Sequence, residues 1–477
     1  MSTADDDPFP FGVASGDPTA DSVVIWTTTP ADTDEAVRWE VATDAAFADV
    51  VASGDVASGT EGSYDHATSL PASTRVTGLD AETTYRYRFI AEADGSEPVR
   101  STVGLTRTLP FPDADDVERF RIGLACCARL PVGPLVAYDG LADAEPDLVV
   151  HLGDYVYEDD EAPHDPPTLC VSERDYRRRY EQYRRDPSLQ RLHATAPWVA
   201  EWDDHEVADD AWDGGSPDDA TDDETEAWAQ RVESSKHAYF DWMPQQPSGN
   251  GPTDMDRVLR IGKLAHVVVL DARLGGREKP DGGSSPSLVD PDDDRAILSD
   301  DQWAWLAECV ETRRETPGWF VLCTQTQVSP LHLARLPKPS RRFRFTPLVN
   351  PDQWDGYPVE RERLVRLLDP IADRTLICSG DLHGRFHTGL RTPGGHAIPE
   401  ITSPSIGSVP FAEAIREKLP IPTSILRRWL AHLNPHIGSM NLTDHGSTVL
   451  DISAARIDVI SLDAAGSEVR RWPAAGG

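Results

Sequence analysis

The chain has 477 residues, with 81 Asp and Glu against 45 Lys and Arg, for a formal charge of −36. Nucleic acid and anionic membranes would be repelled by such a surface, which excludes both as main partners. The acids run through the whole length and the basic residues are nearly all Arg, a pattern that fits a halophilic protein whose self-repulsion is screened by molar salt.

In chain order, residues 1–8 read as a flexible N-terminus. "MSTADDDPFPFG" has no basic n-region or apolar h-region, so the chain as given is expected to be cytoplasmic; the alternative is an exported or surface protein with its signal removed. Residues 9–110 read as an all-β fibronectin/Ig-like sandwich. "SVVIWTTTP", "AVRWEVATD", "TYRYRFIAEA" and "STVGLTRTLP" are short β-branched and aromatic segments between turn residues. "VTGLDAETTYRYRF", with Leu79 ahead of Tyr85, has the look of a tyrosine corner. Residues 111–116 form a Pro/Asp linker.

From 117 to 477 the pattern becomes α/β, expected as two sheets flanked by helices. "RFRIGLACC", "DLVVHLGD", "WVAEWDDHE", "LAHVVVLDAR", "GWFVLCTQTQ" and "TLICSGDLH" are apolar runs ending in polar or reactive residues. Helical stretches such as "ERDYRRRYEQYRRDPSLQRLH" and "DDQWAWLAECVETRRE" lie between them. Strand–loop–helix alternation puts the reactive ends along one sheet edge. The acidic, Gly/Ser-rich segments 213–226 and 280–294 read as solvated loops. Six cysteines, at 126, 127, 170, 309, 323 and 378, form no CxxC pair or disulfide framework.

Four strand ends carry metal-competent side chains: Cys126 and Cys127; Asp154 and Tyr157; Asp203, Asp204 and His205; Asp381 and His383. Singly each is weak, since a buried Cys is usually a small hydrophobe. Together they offer thiolate, phenolate, carboxylate and imidazole, a mixed hard and soft set suited to a di- or trinuclear centre. Thiolate and phenolate would favour Fe3+ at one position, and carboxylates a harder ion such as Ca2+ or Mg2+ at the next. Phosphate-ester hydrolysis by in-line attack of a metal-held hydroxide is the chemistry such a centre serves.

"FGVASGDPTADSVVIWT", "LACCA", "HLGDYVYE", "PWVAEWDDHEVADD", "LDAR", "SGDLHG", "WDGYPVERERLV" and "DHGSTVLDIS" occur in an order that resembles the PhoD-like alkaline phosphatase/phosphodiesterases. That family is a branch of the metallophosphoesterases, related to purple acid phosphatases. The resemblance implies an iron and calcium site, with Mg2+, Mn2+ or Zn2+ as alternatives, and a small phosphomonoester or phosphodiester as substrate. Carried over, it makes Cys127, Asp154, Tyr157, Asp204, Asp381 and His383 metal ligands, with Asp154 bridging; Asp203, beside them in "WDDHE", is a further candidate ligand from the run itself. His205 becomes the residue at the substrate and leaving group, and Arg273 is expected either to brace the sheet edge or to meet phosphate; Arg129 is a second candidate for phosphate binding by its chemistry. His387 and His445 rank lower, and Asp271 opens the D-x-R segment of "LDAR". Asp209 and Asp210 stand where the family usually has two asparagines, "LGG" follows "LDAR" where a Tyr-Arg pair is usual, and little chain remains for a C-terminal helix over the site. Two rivals are a non-catalytic, metal-stabilised surface protein and an iron-dependent redox enzyme. Oligomeric state is left open.

Overall fold

Alternation along the strands decides how the layers stack. In the computed structural model, which describes residues 7–30, 37–56, 69–91, 97–217, 225–280, 286–336 and 346–475, the six apolar runs are strands. They span Arg119–Ala125, Leu148–Leu152, Trp198–Glu201, Ala265–Leu270, Trp319–Thr324 and Thr375–Ser379. The first three pair in parallel within a nine-stranded sheet, and the last three in parallel within a seven-stranded one. Ile122, Leu124, Val150 and Leu152 of the first sheet share a core with Val267, Val269, Val321 and Leu376 of the second. Side chains on the opposite faces meet helices: Ala125 and Val149 pack with Tyr138, Leu141 and Tyr180, while Val268, Phe320 and Ile377 pack with Trp303, Leu306 and Leu364. Strands buried on both faces read as continuous apolar runs, which is why their existence was plain in the sequence.

The helix Asp300–Glu315 starts at a Ser299 capping box. The stretch 173–193, read as helical, is two helices, Glu173–Arg184 and Pro187–His193. Pro187 has no N–H to continue the first, and the Asp186 side chain accepts from the Leu189 amide to cap the second.

In the N-terminal region, Val23, Ile25, Val41, Val76, Tyr85 and Phe89 form the core between two sheets. The Tyr85 hydroxyl accepts from the Asp80 amide at 2.8 Å, the corner bond its position suggests. One of these sheets is continuous with the main α/β body. Strand Ala14–Gly16 pairs antiparallel with Ser22–Pro30 and meets Trp198–Glu201 in parallel at Gly16, so both belong to the nine-stranded sheet. Only glycine allows this seam, because a Cβ at Gly16 would lie 2.3 Å from the Pro244 carbonyl oxygen. The linker is docked as well, with the Lys263 amide donating to the Ala114 carbonyl at 2.7 Å. Residues 1–6 of the expected flexible N-terminus, and parts of both acidic loops, lie outside the described residues. Among the described residues no helix is long and apolar enough to cross a membrane.

Candidate metal centre

The strands that end at Ala125, Leu152, Glu201 and Ser379 deliver their reactive residues to one place. The turns that do so are strained: Cys127, Asp154, Asp381 and His383 have φ of 58°, 58°, 60° and 50°. Non-glycine residues in this left-handed region cost about 1–3 kcal/mol each, and such outliers gather at functional sites.

Asp154 sits at the centre. Tyr157 donates its hydroxyl hydrogen to Asp154 Oδ2 at 2.7 Å and accepts from Ser408 Oγ at 2.6 Å. His383 Nδ1 lies 3.0 Å from the Val409 carbonyl oxygen and must carry the proton there, which turns Nε2 to Tyr157 at 3.2 Å and to Asp154 at 4.0 Å. One ligand atom each from Cys127, Asp154 and His383 lies within 4.8 Å of the others, and the same holds for Asp154, Asp203, Asp204 and Asp381. Asp154 is therefore common to a thiol/imidazole position and a carboxylate position.

The residues present fit cations. Asp154 Oδ1, Asp203 Oδ2 and Asp204 Oδ1 are buried without a hydrogen-bond donor among the described residues. Buried carboxylate oxygens left unpaired are costly, and a cation is the partner their convergence suits. Burial pushes the Cys127 thiol well up, with Cys126 adding to it. Burial opposes charge on His383, yet Cys127 and Asp154 outweigh it and push its pKa up to about 10.

His205 Nδ1 donates to Glu158 Oε2 at 2.7 Å, with its ring centroid 4.1 Å from that of Tyr157. Burial works against its charge, but Glu158, Asp154 and Asp204 hold its pKa well above the usual imidazole range. Arg129 stands at the rim, its guanidinium 5.6 Å from the Tyr157 ring centroid and paired with Asp159 and Glu161. Arg273 requires a correction as a substrate-binding candidate, and takes the bracing role instead: it is wholly buried, donating to both oxygens of Asp352 at 2.6 and 2.9 Å and to Asp203. It braces the carboxylates from behind. Cys126 Sγ faces the Ser403 and Pro404 carbonyls, and His387 stacks on Trp472 in strand Arg385–Arg391, away from the centre. His445 reaches the Ser408 carbonyl at 2.8 Å, and Asp271 accepts from the Arg273 and Leu274 amides.

Several contributors were not anticipated. Glu206 is buried and accepts from the amides of Asp154, Tyr155 and Asp203, which fixes both strand-end turns. Glu158 orients His205, Gln353 donates to Asp381, and Ser408 holds Tyr157. In a chain this acidic, Glu158 and Glu206 look like any other surface carboxylate; only their place beside Asp154 and His205 could have flagged them.

Gly153 permits the central turn. Its φ is 91°, and a Cβ there would meet Asp203 Cβ at 2.4 Å and the Asp203 amide nitrogen at 2.6 Å. Gly153→Ala is expected to push Asp203 and Asp154 apart, lowering both bound metal per chain and Tm, read by elemental analysis and calorimetry.

Burial, with help from neighbouring carboxylates, raises Asp381 to about 7, Glu206 to about 8 and Asp210 to about 9. Each binds its proton more tightly folded than unfolded, so its stabilisation is complete below about pH 4 and lost as pH rises through those values. Chelated protein is expected to lose Tm steadily between about pH 5 and pH 9, and resupplied cations to flatten that slope. A flat profile after chelation would contradict this.

Two sheets packed face to face between helices, with a cysteine, tyrosine, histidine and carboxylate cluster at their carboxyl edge, define a metallophosphoesterase-type fold. The PhoD-like phosphatase family profile matches residues 122–460, and that of its N-terminal domain matches residues 1–110. Alkaline phosphatase D of Bacillus subtilis (strain 168) is 32% identical over 430 residues, covering 85% of this chain and 68% of that relative. The solved structure of PhoD superimposes with a TM-score of 0.78 at 26% identity, over 98% of this chain and 92% of that one. Purple acid phosphatase PPD1 from yellow lupin (Lupinus luteus) seeds gives 0.57 at 12% identity, over 97% and 73% of the two chains, a likeness of fold alone. The chain belongs to the PhoD-like phosphatase family and is a phosphoric ester hydrolase.

Proposed function

We propose that this chain hydrolyses small phosphomonoesters and phosphodiesters at alkaline pH, with Fe3+ held by Cys127, Tyr157, Asp154 and His383. Ca2+ would be held by Asp154, Asp203, Asp204 and Asp381. The observation that carries the reading is the sharing of Asp154 between a soft and a hard ligand group. Cations held there lower the pKa of water and neutralise charge on the phosphoryl oxygens.

The chain's own residues then have definite tasks. His205, kept protonated by Glu158, gives a proton to the departing oxygen. Ser408 and Asp154 fix the Tyr157 phenol between them, and Gln353 turns Asp381 inward. Arg129, partly exposed at the rim, is free to swing from Asp159 to a phosphate oxygen. Asp209 and Asp210 set two carboxylates near Asp204, which supports a more cation-hungry site than an amide pair would give. The acid excess supports operation in concentrated salt.

The test is turnover of chromogenic mono- and diesters in about 1 M salt, before and after chelation, with iron and calcium returned singly and together. Loss on chelation and full recovery only with both ions is the expected result. Recovery with a single divalent ion would overturn the assignment of two different metals.

A further inference from the structure

The acids that fill this chain leave two gaps. Residues 316–351 and 418–443 contain no Asp or Glu, the two longest such runs in a chain where 81 of 477 residues are acidic. The first carries five basic residues, Arg335 among them, and the second carries Lys418, Arg427 and Arg428.

The fold joins the described parts of these runs. Trp429 Nε1 donates to the Leu333 carbonyl at 2.7 Å, and Arg335 donates to the Leu433 carbonyl at 3.0 Å. Asn434 bonds the His332 backbone twice, at 2.8 and 2.9 Å. Helix Thr423–Leu433 buries Leu426, Leu430 and Leu433 against the body. One turn apart on its outer side, Ile425 and Trp429 are 54% and 50% exposed, with Leu419 at 59% just before the helix. Arg427 and Arg428 are exposed between them. This face adjoins the metal centre: the Phe411 amide donates to the His383 carbonyl at 3.0 Å, and helix Phe411–Lys418 leads from there to Leu419.

We propose that this face docks on an anionic lipid surface, bringing the mouth of the site to the membrane. Ile425 and Leu419 would enter the acyl boundary, Trp429 would sit at headgroup depth, and Arg427 and Arg428 would meet lipid phosphates. Averaged over the chain, the charge of −36 argues against a membrane. Its distribution reverses that argument locally, and salt near 1 M shortens the reach of the remaining repulsion to about 3 Å. Nucleic acid fits less well, because aliphatic side chains gain nothing from base stacking. A second copy fits less well too: two-fold pairing would oppose arginines, and docking on an acidic face of the next copy would not close.

The experiment is cosedimentation of the full, metal-loaded chain with phosphatidylglycerol or phosphatidylcholine vesicles in about 1 M salt. Wild type is expected to sediment with the anionic vesicles. The double substitution Ile425→Ser, Trp429→Ser should lower the bound fraction about tenfold or more. Arg427→Glu with Arg428→Glu should erase the preference for the anionic lipid. Both variants should keep the wild-type rate on a soluble chromogenic ester. Wild type left in the supernatant with both lipids, or variants that sediment like wild type, would overturn the proposal. So would single-stranded DNA binding or self-association that the same variants abolish, which would give the face to those partners.

Discussion

Asp154→Asn is expected to lower phosphoester turnover about a thousandfold while leaving the fold intact. Loss of several kcal/mol of transition-state stabilisation translates to that factor. Asp154 and Asp204 each belong to three of the four groups of converging ligand atoms, but among them Asp154 alone joins the thiol/imidazole group to the carboxylate group. The amide keeps an oxygen to accept from Tyr157 but gives up the charge. Stability should move in opposite directions with and without cations. In chelated protein the substitution relieves repulsion among Asp154, Asp203, Asp204 and Asp381, so the variant should melt at or above wild type. With cations present the wild type should melt higher, because only it binds them fully. Calorimetry of both proteins, loaded and chelated, checks this crossing; wild-type turnover in the variant would refute the shared-ligand reading.

Arg273→Met is expected to cost about 3–5 kcal/mol of stability, the usual effect of leaving buried charges without their partner. Arg273 pairs with Asp352 and Asp203, and the side chains of Arg273 and Asp203 are wholly inaccessible. Denaturant unfolding of the loaded protein measures the loss. Arg273→Lys should recover little, because one ammonium cannot reproduce a guanidinium fork on Asp352 together with a bond to Asp203. Arg129→Met offers the contrast. Its ion pairs are partly exposed, with the Arg129 side chain at 25%, so stability should fall by no more than about 1 kcal/mol. Its effect should fall on KM instead. If Arg273→Lys proved as stable as wild type, the bracing role would fail.

The contrast between these two arginines shows what a sequence can tell. "LDAR" and "ACCAR" both place an arginine just beyond an apolar strand, and nothing in either string says which one faces water. Burial settles it. The Asp352 carboxylate that claims Arg273 lies 79 positions away in a loop with no strand signal. Glu206 is a similar case. In "WDDHE" it is the fourth polar residue of a run, and only the approach of the Gly153 turn adds two amides to the Asp203 amide of its own segment.

What the sequence determined alone was the set of strands and the chemistry at their ends. Period and length mark a buried parallel strand, and a carboxylate or thiol just past one is legible because each side chain follows its strand directly. Six runs, the Tyr85 corner and the ligand-bearing turns depend on neighbours a few residues away. Tertiary structure decided everything that depends on distance. It made the N-terminal strands part of the main sheet through Gly16, set Ser408 on Tyr157 across 251 positions, and turned Arg273 inward. It also brought Leu333 and Arg335, from one acid-free run, against helix Thr423–Leu433 of the other. Such pairings carry no local signature, because hydrogen bonds and ion pairs depend on atoms being close in space, and sequence separation says little about that.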